Sequence, residues 1–143
     1  MNILFVHQNF PAQFKHLAPA LAKRHAVRVL TLNPSLGEAW EGVPVTRYAL
    51  SRGGTAGIHP WVGDLEAKVI RGEAAYLAAQ RLRRDGFVPD VIVAHPGWGE
   101  SLFLKEVWPQ SRLGIYCEFF YRAEGGDVGF DPEFPVTDPA IAC

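Results

Sequence analysis

Asn2-Ile3-Leu4-Phe5-Val6-His7-Gln8-Asn9-Phe10-Pro11 opens the chain and decides how the rest is read. Ile3 to Val6 is unbroken apolar sequence with no polar alternation, the pattern of a strand covered on both faces. A strand covered on both faces belongs in a parallel sheet with helices above and below. The run then stops abruptly at three hydrogen-bonding side chains in a row. The start also lacks the basic region and small-residue cleavage site of a secretory leader.

Two further runs repeat the pattern. Ala26-Val27-Arg28-Val29-Leu30-Thr31-Leu32 reads as a second strand, ended by the turn residues Asn33-Pro34-Ser35-Leu36-Gly37. Val91-Ile92-Val93-Ala94, launched by Pro89-Asp90 and followed by His95, is a fully apolar fourth strand. Between them Val43 to Leu50 alternates as a third, and Leu113 to Phe120 is a fifth. Phe14, Leu17, Ala18 and Leu21 are spaced for a first helix, with Pro19 kinking it or marking its true beginning. Val62, Leu65, Val69, Tyr76 and Leu77 lie on one face of a long helix running to about Arg84, with Gly86 as its stop. A shorter helix carries Leu102, Phe103 and Val107 up to Pro109. Residues 122–143 show little periodicity.

Strands alternating with helices predict right-handed β-α-β units: an α/β, Rossmann-like, doubly wound parallel sheet of order 3-2-1-4-5 with helices on both faces. In such a sheet ligands bind beyond the carboxyl ends of the strands, where the winding reverses. Strands one and four flank that point. The residues to weigh are therefore those after Val6 and after Ala94.

Bulk properties narrow the chemistry. The 143 residues are enough for one domain with a proper core. A net charge of −1 gives no electrostatic reason to bind nucleic acid or an anionic membrane. Arg81, Arg83 and Arg84 lie where a helix end favours cations. No stretch reaches the roughly 20 apolar residues of a membrane span, and peripheral membrane contact is not evident. Cys117 and Cys143 are too few for a disulfide framework, and Cys117 sits in an apolar run as a small hydrophobe. A cytoplasmic location follows by default. Five histidines at 7, 16, 25, 59 and 95 show no metal-ligand spacing, so no metal is expected. Gly-x-Gly-x-x-Gly, the P-loop and the nucleophile elbow are missing, which argues against nicotinamide enzymes, P-loop kinases and α/β-hydrolases.

His7 and Asn9 after the first strand suit a polar pocket; alternatively Asn9 caps the following helix with Pro11 in its first turn. After the fourth strand, His95 stands at the reversal point. Gly97 lets the backbone approach a ligand, and Trp98 offers a face for a sugar ring or a cover for the sheet end. Glu100 reads as a first-turn acid beside a helix N-terminus. Beyond the fifth strand, Glu118 among bulky neighbours must be ion-paired, exposed at the strand end or shifted in pKa, with Arg122 as a partner. Tyr121 completes the candidate set.

The opening segment, continuing through Ala12-Gln13-Phe14 and Leu17-Ala18-Pro19-Ala20-Leu21-Ala22, resembles the start of family 4 glycosyltransferases, in particular a bacterial subgroup beginning with His-Gln-Asn-Phe-Pro. Pro89-Asp90-Val91-Ile92-Val93-Ala94-His95 is similar to the Asp-x-x-x-x-His strand of the same superfamily. The resemblance spans Met1 to about Pro135. It implies a GT-B enzyme of two Rossmann-like domains, of which 1–143 would be the N-terminal, sugar-acceptor-side half without its donor domain. The implied activity is retaining transfer from a nucleotide sugar, used as substrate with no cofactor or metal, to a sugar, glycan or lipid acceptor. His95 would lie near the transferred sugar, and His7 and Asn9 in a loop approaching the donor phosphates. Pro11 and Ala12 replace the glycines many relatives have in that loop, a departure that weighs against direct phosphate contact there. Alone, the chain would be inactive. A free-standing sugar- or nucleotide-binding module and half of a nucleotide-sugar epimerase are the competing readings.

Overall fold

The computed structural model describes residues 1–117. Its strands are β1 (Asn2–Val6), β2 (Ala26–Thr31), β3 (Ala39–Trp40), β4 (Val43–Arg47), β5 (Val91–Ala94) and β6 (Arg112–Ile115). The helices are α1 (Leu17–Ala22), α2 (Pro60–Arg84) and α3 (Leu104–Val107), with a 3-10 turn at Ala12–Phe14. They build one sheet of order β3-β4-β2-β1-β5-β6, parallel throughout except for the β3–β4 pair.

The expected five-strand order therefore needs correcting. The sheet has six strands, the extra one being β3, antiparallel against β4 with Ala39 opposite Pro44 and Trp40 opposite Val43. The two residues between them, Glu41 and Gly42, both have positive φ (46° and 80°), the backbone that tight hairpins demand. Glu-Gly is a weak hairpin signal beside Asn-Gly, so residues 38–42 suggest no strand. The third and fifth strands are also shorter than expected, ending at Arg47 and Ile115.

Adjacent residues of β1 feed two different cores, as the pleat requires. Leu4 and Val6 pack with Leu30, Ile92, Ala94 and the alanines of α2, while Ile3 and Phe5 pack with Val27, Val29, Phe10, Phe14 and Ala18. Helices thus cover both faces, and the central strand is buried on each side. Pro19 lies in the first turn of α1, where the missing N–H has no intrahelical partner to lose.

The long helix ends as its sequence indicates. Gly86 takes φ +86°, its N–H reaches Arg83 O, and the Phe87 N–H reaches Leu82 O at 2.9 Å, a Schellman motif. The buried face of α2 is not the expected one. Val62, Leu65, Val69 and Leu77 are exposed, whereas Ile70, Gly72, Ala74, Ala75, Ala78, Ala79 and Leu82 are buried, the alanines and Leu82 in the core with the strands. Small side chains let the helix lie close, so the alanine stripe wins over the bulkier one. The shorter helix is likewise reduced to Leu104–Val107, and residues 98–103 form turns. Cys117 is exposed rather than packed.

Candidate functional site

β1 and β5 pair in register with Val6 beside Ala94. His7 and His95 are the next residues along, so two imidazoles emerge side by side where the winding reverses. Their ring centroids are 5.0 Å apart. The His7 N–H is held by Leu30 O and the His95 N–H by Val6 O, both at 3.2 Å.

Each ring is oriented by its own loop. His7 Nδ1 accepts the Asn9 N–H at 2.9 Å, and His95 Nδ1 accepts the Gly97 N–H at 3.2 Å. A neutral imidazole whose Nδ1 accepts carries its proton on Nε2. Both rings therefore use Nε2 as the donor in their neutral forms. His7 is buried, edge-on to Phe14, while His95 is half-buried.

Asn9 does not cap a helix: no side-chain cap bond forms at the 3-10 turn or at α1, and Asn9 itself is exposed. The backbone turns at a cis Phe10–Pro11 bond and at Ala12, with φ 37°. Three hydrogen bonds dock this loop on the end of β2: Thr31 Oγ1 and Leu32 N–H to Gln8 O, and Asn33 Nδ2 to Phe10 O. Asn33, read only as a turn residue, thus helps to position the first loop.

The turn after β5 is fixed by glycines. Gly97 passes so near His95 that a Cβ would stand 3.1 Å from the ring. Gly99, at φ +100°, lies on the backbone of α2, where a Cβ would collide with the Lys68 carbonyl. From the helix side, a Cβ on Gly72 would be 2.9 Å from Gly99 O. Trp98 stays 40% exposed, stacks on His95 with rings 24° from parallel, and carries the Arg71 guanidinium 5.9 Å above its ring. The indole thus lies at the rim of the site, with His95 and Arg71 against its ring, rather than buried beneath it.

Glu100 is the main correction. It is not an exposed first-turn acid but 1% exposed, its Oε1 accepting the Tyr48 hydroxyl at 2.9 Å. Among the described residues Oε2 is buried without a hydrogen-bond partner. Burial pushes the Glu100 carboxyl above its ordinary range, opposed by its own backbone N–H, the Tyr48 hydroxyl and the charges of Arg71 and His95. Burial, and then the neighbouring acid, push the Tyr48 phenol upward too. The sequence singles out Glu100 but neither Tyr48 nor Arg71, and not the Tyr48–Glu100 pairing; a lone tyrosine 52 positions from a lone acid carries no local signal.

The structure therefore brings His7, His95, Gly97 and Trp98 together, with Asn9 on the adjoining loop. Glu118 and Tyr121 lie outside the described residues. A cavity of about 620 Å³ also exists, but at the opposite end of the strands, lined by Val88, Trp108 and Arg112 among others. It is remote from the imidazole pair.

A polar pair at the reversal of a doubly wound sheet, flanked by a glycine turn and an aromatic face, can donate to and accept from sugar hydroxyls or phosphate oxygens. The family comparison agrees in kind: a model described as "Glycosyl transferase family 4 group" matches residues 23–142. The chain belongs to that family. The matched span includes His95, Gly97 and Trp98 but begins after His7 and Asn9. No curated protein matches the chain.

Proposed function

We propose that this chain is the sugar-acceptor-side half of a retaining glycosyltransferase that takes its sugar from a nucleotide sugar. The observation carrying the reading is the His7–His95 pair at the strand reversal in a chain of this family. In transfer, the acceptor oxygen bonds to the anomeric carbon on the face the diphosphate leaves, as the bond from that carbon to the diphosphate breaks, and the hydroxyl proton goes to the departing diphosphate. Half-buried His95, with Nε2–H as donor, suits a hydroxyl of the transferred sugar or an oxygen of the departing diphosphate. Trp98 suits the flat face of a sugar ring. His7 and Asn9 form the polar wall opposite, and Glu118 and Tyr121 are further candidates for the same cleft. Closure by a donor domain would bring the two substrates together, with no metal or cofactor needed and a cytoplasmic nucleotide-sugar pool as source.

Three measurements test this. The 143-residue chain alone should show no sugar transfer, and calorimetry should find sugar acceptors bound in preference to nucleotide sugars. In an enzyme joining this chain to its donor domain, His95→Ala should reduce kcat at least about 100-fold, the usual effect of removing a group that stabilises developing charge. Robust turnover by the chain alone, or a His95→Ala enzyme of normal kcat, would sink the proposal.

A further inference from the structure

Tyr48 directly follows β4, and Glu100 closes the turn after β5. In the sheet those strands are separated by β2 and β1, about 14 Å at the usual strand spacing. Yet the two side chains meet at 2.9 Å. Their bond therefore reaches across the width of β2 and β1, from the wing that winds through β2 and β4 to the wing that winds through β5 and β6.

Each wing has its own anchor. On one side Tyr48 N–H bonds Thr31 O, and Thr31 Oγ1 holds Gln8 O in the His7 loop. On the other, Gly99 rests on the α2 backbone and Gly97 bonds the His95 ring. The β1–β5 ladder fixes the roots of His7 and His95, and Tyr48–Glu100 joins the loop assemblies beyond it, one holding the His7 loop and the other the His95 ring.

Stability gives no reason for this chemistry. A buried carboxyl with one oxygen unpartnered is a costly way to fill space, and an apolar pair of the same shape would be neutral or better. What a hydrogen bond provides and an apolar contact does not is one fixed direction and distance.

We propose that the Tyr48–Glu100 pair is a cross-tie setting the width of the crevice, and that Glu100 is a positioning residue holding His95 against His7. The importance of that spacing for catalysis rests on the transferase reading above; the tie itself does not.

The test compares the 143-residue chain with its Y48F/E100L and E100Q variants. Nuclear Overhauser contacts between the His7 and His95 rings, and the nitrogen shifts that report the His95 tautomer, are read alongside the thermal midpoint. In Y48F/E100L the midpoint should equal or exceed that of the parent, while the ring-to-ring contact weakens and the His95 shifts move toward a tautomer mixture. E100Q keeps the oxygen that Tyr48 bonds and should retain the parent pattern. A double variant with unchanged ring contacts and tautomer would overturn the tie. So would an E100Q variant as disturbed as the double one, since the effect would then lie in charge. A fall in the midpoint of the double variant would overturn it too, because the pair would be ordinary structural support. None of these readouts depends on sugar transfer, so the tie and the transferase reading can fail separately.

Discussion

The two ends of the strands are built on different principles. At the amino end, polar groups are tied to the local backbone: Asn2 Nδ2 to Val88 O, Ser111 Oγ to Pro89 O and the Lys105 ammonium to Pro109 O and Ser111 O. The cavity of about 620 Å³ there lies against Trp108, whose Nε1 is buried without a partner among the described residues; the charged groups that line it, Arg83, Asp90 and Arg112, include no imidazole and no buried carboxyl. At the carboxyl end two imidazoles meet, a carboxyl is buried against Tyr48, and a turn is pressed onto a helix backbone. The end with the cavity is thus not the end with the imidazole pair. Buried polar groups whose presence stability does not explain mark a site better than volume does.

That contrast can be broken from the carboxyl end most forcefully at Gly99. Gly99→Ala should lower the unfolding free energy by about 3 kcal/mol or more, through positive-φ strain plus a collision with backbone that cannot easily move. Urea unfolding reads it directly. A loss near zero would mean that the turn is free to lift from α2, and the packing argument for the site would go with it.

A smaller effect belongs to the buried acid. Its folded pKa lies above the ordinary 4.5, so between 4.5 and the raised value the unfolded chain releases a proton that the folded chain retains. Ionisation then favours unfolding, and this group's contribution to stability declines as pH rises through the window. Urea midpoints from pH 4 to pH 8 should show a downward component that E100Q removes, leaving E100Q the more stable protein at neutral pH. Parallel profiles for the two would place Glu100 in contact with solvent.

The least effect is expected at the amino end. Trp108→Phe removes an N–H that bonds to nothing among the described residues, so only packing is lost, about 1 kcal/mol. Sugar or nucleotide affinity measured by calorimetry should not change. A drop in ligand affinity would reverse the assignment of the two ends.

How much of this could be read from sequence depended on the range of the signal. β1, β2 and β5 were legible because burial on both faces leaves continuous apolar runs, and the end of α2 because Gly86 and the three arginines punctuate it. His7 and His95 followed from the reversal rule once those strands were placed. The inner face of α2 was misread because large apolar residues were weighed above small ones, whereas Gly72, Ala75 and Ala79 permit the closer approach. β3 was missed because Glu41-Gly42 is a poor advertisement for a hairpin. The Tyr48–Glu100 pairing was beyond reach: the bond depends on two wings of a sheet being assembled, and neither residue has a neighbour in sequence that announces it.

The β3–β4 hairpin has one further consequence. Its outer strand has only two residues, and the strand behind it carries Pro44, which has no N–H to offer. Such a short margin presents almost no ladder for another chain to join. The sheet is therefore a directional object, blunted on the β3 side. Among the described residues, the four-residue β6 is the longer of the two edge strands.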